Sequence, residues 1–334
     1  MKRRSFIQNG AKAGIAFSFL GISACKQANK DKAKDESEEI STTTNTEPFF
    51  ELSLAQWSIN KMIREGGVDP YTFAEKAKSW GFTGLEYVSQ LYRKELEADN
   101  YSAEAMQNFI DKNNAEAKKH GLTSLLIMID GEGPLASTDV GERSDAVKNH
   151  YKWVDAAAAM GCHSIRVNLQ GTMEPEAWVE ASVDGLTQLA TYAKDKNINV
   201  IVENHGGPSS NAAWLASVMK KVNMDNCGTL PDFGNFCVKR EDGSYYESKC
   251  LEEYDIYKGV IELMPYAKAV SAKAYDFDEN GNETKIDYVK MMQIVKKAGY
   301  TGFVGVEYEG NTLSEEEGII ATKKLLLNTA SQIS

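Results

Sequence analysis

Histidine is scarce in this sequence, four in 334 residues, and so is proline, with seven. With so few imidazoles, any metal site here has to be built mainly from oxygen ligands. The five cysteines, at 25, 162, 227, 237 and 250, are too few and too scattered for a disulfide scaffold. The weakly apolar stretch Ala13–Ile22 is about ten residues long and cannot span a hydrocarbon core of roughly 30 Å. No glycine-rich dinucleotide or phosphate-binding fingerprint follows any of the apolar runs. Basic residues number 37 against 48 acids, for a formal charge of −11. That sign, with no basic cluster, argues against a nucleic-acid enzyme and leaves neutral sugars or cations as partners.

The basic residues that do cluster stand at the start. Lys2-Arg3-Arg4-Ser5-Phe6-Ile7 forms a twin-arginine pattern, and Ile22-Ser23-Ala24-Cys25 has the form of a lipobox. Residues 1–25 are therefore expected to be an export signal, with Cys25 as the lipidated first residue of a periplasmic or cell-envelope lipoprotein. An ordinary signal peptide or short anchor is the plainer alternative. Residues 26–48, mostly Lys, Asp, Glu, Ser, Thr and Asn, have too little to bury and are expected to be a disordered tether. The membrane is then a partner only through the lipid.

From residue 49 to 334 the chain alternates short apolar runs with longer amphipathic stretches. Strands are expected at Glu51–Ser58, Gly84–Ser89, Ser124–Ile129, Ser164–Leu169, Asn199–Asn204, Gly228–Asp232, Ala267–Lys273 and Phe303–Tyr308. Helices are expected at Pro70–Trp80, Ala103–His120, Asp145–Met160, Glu174–Lys196, Ala212–Val222, Tyr254–Leu263, Asp287–Ala298 and Ser314–Gln332, several of them stopped by glycine. Eight strand-then-helix units predict an α/β fold of one domain, a closed (β/α)₈ TIM barrel.

In such barrels the site lies where strand C-termini converge, and here the runs end in groups that are costly to bury. Glu86 ends the second, Arg166 and Asn168 the fourth, Glu203, Asn204 and His205 the fifth, Asp232 the sixth, Lys273 the seventh, and Glu307 and Glu309 the eighth. Side chains two apart share a face, which pairs Glu203 with His205, Ser271 with Lys273, and Glu307 with Glu309. Three carboxylates meeting at one mouth repel unless they are protonated or bind a cation. A divalent ion, Mn²⁺, Mg²⁺ or Zn²⁺, resolves that conflict. The plainer reading makes each acid a helix cap or a salt-bridged rim residue.

Three motifs, Val202-Glu203-Asn204-His205-Gly206-Gly207, Pro231-Asp232-Phe233-Gly234-Asn235 and Gly305-Val306-Glu307-Tyr308-Glu309-Gly310, resemble the metal-binding strand ends of the xylose isomerase-like barrels, a superfamily of sugar isomerases and epimerases that also includes AP endonuclease 2-like proteins. The resemblance runs over roughly residues 50 to 333. It implies Glu203, Asp232 and Glu307 as metal ligands, with the two glutamates also moving protons. Members often carry His-x-Lys on strand seven; this chain reads Ser271-Ala272-Lys273. Either His205 replaces the lost ligand, or Ser271 or water completes the shell, or the metal is weakened or absent. The DNA-repair endonucleases of the superfamily resemble it less, because their trinuclear zinc site needs more histidines.

Isomerisation beside a carbonyl needs a base for the C–H and a donor for the developing oxyanion. Glu203 and Glu307 are candidate bases and Lys273 a candidate donor, while Arg166, Asn168, His205, Trp57 and Glu86 are candidates for binding the substrate. Arg166 and Lys273 also suit a bracing role beside carboxylates. Phe233, Tyr275 and Tyr308 are further aromatic candidates for a sugar face. The expected function is a metal-dependent sugar isomerase or epimerase. The alternatives are a β-elimination lyase acting on 3-keto-glycosides and a sugar-binding lipoprotein without activity. The small-molecule partner is a sugar or glycoside, and a homo-oligomer is compatible with each reading. Asp276–Asp287 imitates a calcium loop, but a strand precedes it, so a polar turn is expected. Cys237 and Cys250 bracket a turn at Asp242-Gly243, where a hairpin and a bridge can form.

Overall fold

The computed structural model describes residues 48–333. The export signal, the tether up to residue 47 and Cys25 lie outside the described residues. Eight parallel strands form one sheet: β1 (Glu51–Ala55), β2 (Gly84–Val88), β3 (Thr123–Met128), β4 (Ser164–Val167), β5 (Asn199–Glu203), β6 (Cys227–Leu230), β9 (Val270–Ala274) and β10 (Phe303–Tyr308). Their order is β6-β5-β4-β3-β2-β1-β10-β9. Parallel bridges from Thr229 to Ala267 and from Asp232 to Ser271 join the two ends and close the barrel. The expected (β/α)₈ barrel is the fold, and each strand is followed by helix.

Alternation along the strands divides their residues between two environments. Val304 and Val306 are fully buried, while Gly305 and Glu307 between and beyond them belong to the opposite face. The inward set is unusually polar for such a barrel. Ser53, Glu86, Arg166, Glu203, Ser271, Lys273 and Glu307 are all buried. A buried polar interior persists only if its members satisfy one another, which ties the fold to the site described below.

Local chemistry accounts for the helix limits. Ser102, Asp139, Asn211, Asp255, Asp287 and Ser314 each cap a helix by accepting a backbone N–H, and Ser314 forms a capping box with Glu317. The helices Ala103–His120 and Ala212–Val222 fall on their expected limits. Gly121 ends the first in the left-handed region, at φ 65°, where a side chain would be strained. The helix expected to start at Asp145 instead starts at Val140, because Asp139 supplies the cap.

Two short helices, Asn60–Arg64 and Arg93–Ala98, were not expected. Between β6 and β9, β7 (Cys237–Arg240) and β8 (Cys250–Glu253) form an antiparallel hairpin joined by a Cys237–Cys250 disulfide. The Asp276–Asp287 segment is a polar turn. Asp278 accepts the backbone N–H groups of Asn280 and Asn282, and Asp287 caps the next helix. No helix among the described residues is long and apolar enough to cross a membrane.

Candidate active site

Glu203 ends β5, Asp232 follows β6 by two residues, and Glu307 lies near the end of β10. Closing the barrel brings them together: one carboxylate oxygen from each lies within 4.8 Å of the other two, and all three residues are buried. Burial raises Glu203 to about 7, with the Arg166 guanidinium opposing and Glu307 reinforcing the rise. Burial likewise raises Asp232 to about 8 against the pull of Lys273. Such crowding of acids is what a cation relieves. The donors are all oxygen, the set that suits a hard divalent ion, so these three residues could hold one.

Two cations and a hydroxyl hold the cluster. Arg166 Nε lies 2.9 Å from Glu203 and its Nη1 lies 3.0 Å from Asp130. Lys273 Nζ lies 3.1 Å from Glu307, 3.2 Å from Glu309 and 3.8 Å from Asp232. Burial disfavours the Lys273 ammonium, but Glu307, Glu309 and Asp232 together keep it protonated well above the ordinary lysine range. Ser271 Oγ lies 2.7 Å from Asp232 Oδ2 and 2.8 Å from Glu307 Oε2. One hydroxyl carries one hydrogen and donates to only one of them, so the second contact needs a proton on a carboxyl oxygen. Burial, which raises Asp232, favours that proton on its carboxyl when no cation is bound.

A cavity of about 640 Å³ opens over the cluster, within the roughly 300–1,000 Å³ range of small-molecule sites. Of the three clustered carboxylates, Glu307 lines it; Trp57, Arg166, Asn168, His205 and Glu309 line it too. Glu203 lies behind this lining, where Asn235 Nδ2 donates to its Oε1 at 2.9 Å. The Trp57 indole donates to the Glu309 carboxylate, and burial of Glu309 is outweighed by Lys273, which holds its pKa below the usual range.

His205 is not brought into the carboxylate cluster. Its Nδ1 is 3.1 Å from the Tyr246 hydroxyl and the two rings are 4.6 Å apart. Burial and then the Arg166 charge lower it to about 4, so it faces the cavity as a neutral imidazole. Its strand-face pairing with Glu203 does not apply because β5 ends at Glu203 and the chain turns away at Gly206 and Gly207. Those two glycines admit the hairpin, since a Cβ on Gly206 would lie 2.4 Å from the Tyr245 carbonyl oxygen.

Glu86 also departs from expectation. It sits in the middle of β2 and is absent from the cavity lining, with its carboxyl against Gly305, two residues below Glu307. Ser53 donates to its Oε1 at 2.5 Å. Burial, opposed by that bond and aided by Glu307 and Glu203, raises it to about 8. Phe233 packs edge-on against Tyr288 and Tyr308 against Gly318, and neither lines this cavity.

Asp130 was missed, although it directly follows the third apolar run. It accepts from Arg166 and, at 2.6 Å, from Asn168. Despite its burial, Arg166 lowers its pKa. Tyr246 was missed for a different reason: it reaches the cavity from the hairpin, 41 residues beyond His205, and no local pattern marks it.

The sequence matches the profile of xylose isomerase-like TIM barrels over residues 74–328. It is 39% identical over 67 residues to the C-glycoside deglycosidase alpha subunit of Arthrobacter globiformis, a match covering 19% of each chain, so this chain spans about a fifth of that relative's length. The structure is similar to that of the IOLI protein with a binding zinc atom, at TM-score 0.63 and 15% identity over 85% of this chain and 99% of that one. It is equally similar to D-allulose 3-epimerase from Methylomonas sp., at TM-score 0.63 and 14% identity over 84% and 98%. These likenesses below 25% identity speak for the fold, and the profile match decides the family. The chain belongs to the xylose isomerase-like TIM barrels.

Proposed function

We propose that this protein is a sugar isomerase or epimerase that removes a proton from the carbon beside a carbonyl. The observation that carries this reading is the convergence of Glu203, Asp232 and Glu307, with Glu307 facing a sugar-sized cavity. A divalent ion held by these three residues would supply Lewis acidity to the carbonyl and hydroxyl oxygens. Glu307 takes the C–H proton, leaving an enediolate. Lys273, an ammonium 3.1 Å from Glu307 and behind the cavity lining, holds that carboxylate in place, and Arg166 on the lining donates to the new oxyanion. Glu203, held by Arg166 and Asn235 behind the lining, carries the second proton transfer, to the other face or the neighbouring carbon, once its side chain shifts toward the cavity. Arg166, Asn168, His205 and Trp57 orient the hydroxyls.

A second reading has a specific support, the sequence match to a deglycosidase subunit. If an oxygen or carbon leaving group stands on the carbon next to the one deprotonated, the enolate electron pair expels it, and the same first step becomes β-elimination. The Cys237–Cys250 disulfide supports action in an oxidising compartment, in line with an exported, Cys25-anchored protein.

The test is a proton NMR time course in D₂O with the metal-loaded protein, using free ketohexoses and a 3-keto-glucoside. Deuterium entering beside the carbonyl of a ketohexose, and lost in Glu307→Gln, supports the first reading. Aglycone release from the keto-glucoside selects the second. If neither occurs with metal bound, the proton-abstraction reading is wrong.

A further inference from the structure

The hairpin does more than roof the cavity. Behind it lies a second cavity of about 560 Å³, bounded by the Cys237–Cys250 disulfide, the start of the helix Ile256–Leu263 and the loop that follows β9. Arg240 and Tyr275 line both cavities. The two spaces therefore adjoin, with this pair of side chains between them. Arg240 is held by Nε donating to the Tyr245 carbonyl at 3.0 Å and by Nη1 donating to the Ser248 carbonyl. Tyr275 fits beside the cluster because residue 234 is glycine: a Cβ there would lie 2.7 Å from the Tyr275 hydroxyl and 2.9 Å from Lys273 Cγ.

The chemistry of the second cavity differs from that of the first. The first is lined by ionised groups on strand ends. The second is walled by three tyrosines, Tyr254, Tyr257 and Tyr275, with Phe233, and its charged groups, Arg240, Glu253, Asp255 and Lys285, come from the hairpin, the helix start and the loop after β9, with Lys285 at 4.6 Å from the Tyr275 ring. Aromatic walls of this kind take a flat ring by stacking, with hydroxyls at its edge left for polar neighbours. None of the reacting groups proposed above lies there.

We propose that the second cavity is a subsite for a second ring joined by a glycosidic bond to the sugar in the first, so that the substrate is a two-ring glycoside. The inference rests on the reading that the first cavity takes a sugar. The bond joining the rings lies at Arg240 and Tyr275, where the two cavities adjoin, and the disulfide ties together the two strands of the hairpin that bounds them. The second ring is either an aromatic aglycone or another sugar, since both present a flat apolar face.

The experiment is calorimetric titration of the full chain, loaded with Mn²⁺, with methyl β-glucoside, phenyl β-glucoside and cellobiose. Parallel titrations use Tyr254→Ala, which removes one wall, and Ile256→Trp, which fills the cavity. The expected result is that at least one two-ring ligand binds roughly tenfold tighter than the methyl glycoside, and that both variants abolish this advantage. Preference for the phenyl compound identifies an aromatic aglycone, and preference for cellobiose a second sugar. Equal affinities for all three ligands, unmoved by either variant, overturn the subsite and leave the sugar reading standing. If the methyl glycoside and both two-ring ligands fail to bind, the subsite falls, and deuterium exchange into a free ketohexose decides the sugar reading separately.

Discussion

Glu86 allows a quantitative test of the polar barrel interior. Its carboxyl is buried and raised to about 8, first by burial and then by Glu307 and Glu203, against the Ser53 hydrogen bond. In the unfolded chain it titrates near its ordinary value of 4.5. A folded-state pKa above the unfolded one means that the native protein keeps a proton which the unfolded chain loses. The stability linked to this group is therefore complete below about 4.5 and is lost as pH rises through about 8. At about 1.4 kcal/mol per unit, moving from pH 5 to pH 7.5 costs on the order of 3 kcal/mol. Glu86→Gln removes that titration. Glu86 Oε2 has no hydrogen-bond partner, so the new amide adds a penalty of roughly 1–3 kcal/mol, but this does not depend on pH. The assay is thermal unfolding by circular dichroism of both proteins in chelator at pH 5 and pH 7.5. The melting temperature of the variant relative to the parent is expected to rise between the two pH values by about 6–12 °C, taking roughly 2–4 °C per kcal/mol for a domain of this size. Glu203 and Asp232 titrate in both proteins and cancel in the difference. A relative melting temperature that stays constant, or falls, as pH rises refutes the assignment of a proton to Glu86.

Ser271→His puts an imidazole where the hydroxyl now bridges Asp232 and Glu307, and divalent-metal affinity measured by competition with a chromogenic chelator is expected to rise by roughly 10–100-fold; unchanged affinity would show that the three carboxylates do not form the ligand set. Lys273→Met leaves Glu307 and Glu309 without their cation, so hydrogen exchange in D₂O is expected to fall by about 10²–10³-fold, with a lower melting temperature from the uncompensated buried charge; full activity would remove Lys273 from the proton-transfer machinery. Cys237→Ala with Cys250→Ala opens a loop with a sequence separation of 13, and chemical denaturation is expected to show a loss of about 3 kcal/mol if the hairpin unfolds together with the barrel. A first, separate transition confined to the hairpin would instead mean that it is an independent unit.

How much of this could be read along the chain depends on the range of the interactions. The eight strands, the helices Ala103–His120 and Ala212–Val222 and their stops follow from periodicity, caps and glycine, which act within a few residues. Glu203, Asp232, Glu307, Lys273 and Arg166 were visible because each is a costly polar group set at or near the end of an apolar run. Tertiary structure decided what each of them meets. Ring closure between β6 and β9 brings Ser271 onto Asp232, and the pairing of β9 with β10 brings it onto Glu307, and no local pattern encodes a contact across 36 or 39 residues. His205 passes to Tyr246 and Glu86 sinks to mid-strand beside Gly305 because those outcomes depend on where the chain turns and on what lies across the barrel. The hairpin and its disulfide were legible in the Asp242-Gly243 turn set between Cys237 and Cys250, whereas the second cavity behind them comes from packing between distant segments. Periodicity is a property of neighbours along the chain, whereas a site is a property of neighbours in space, and only the closed barrel relates the two.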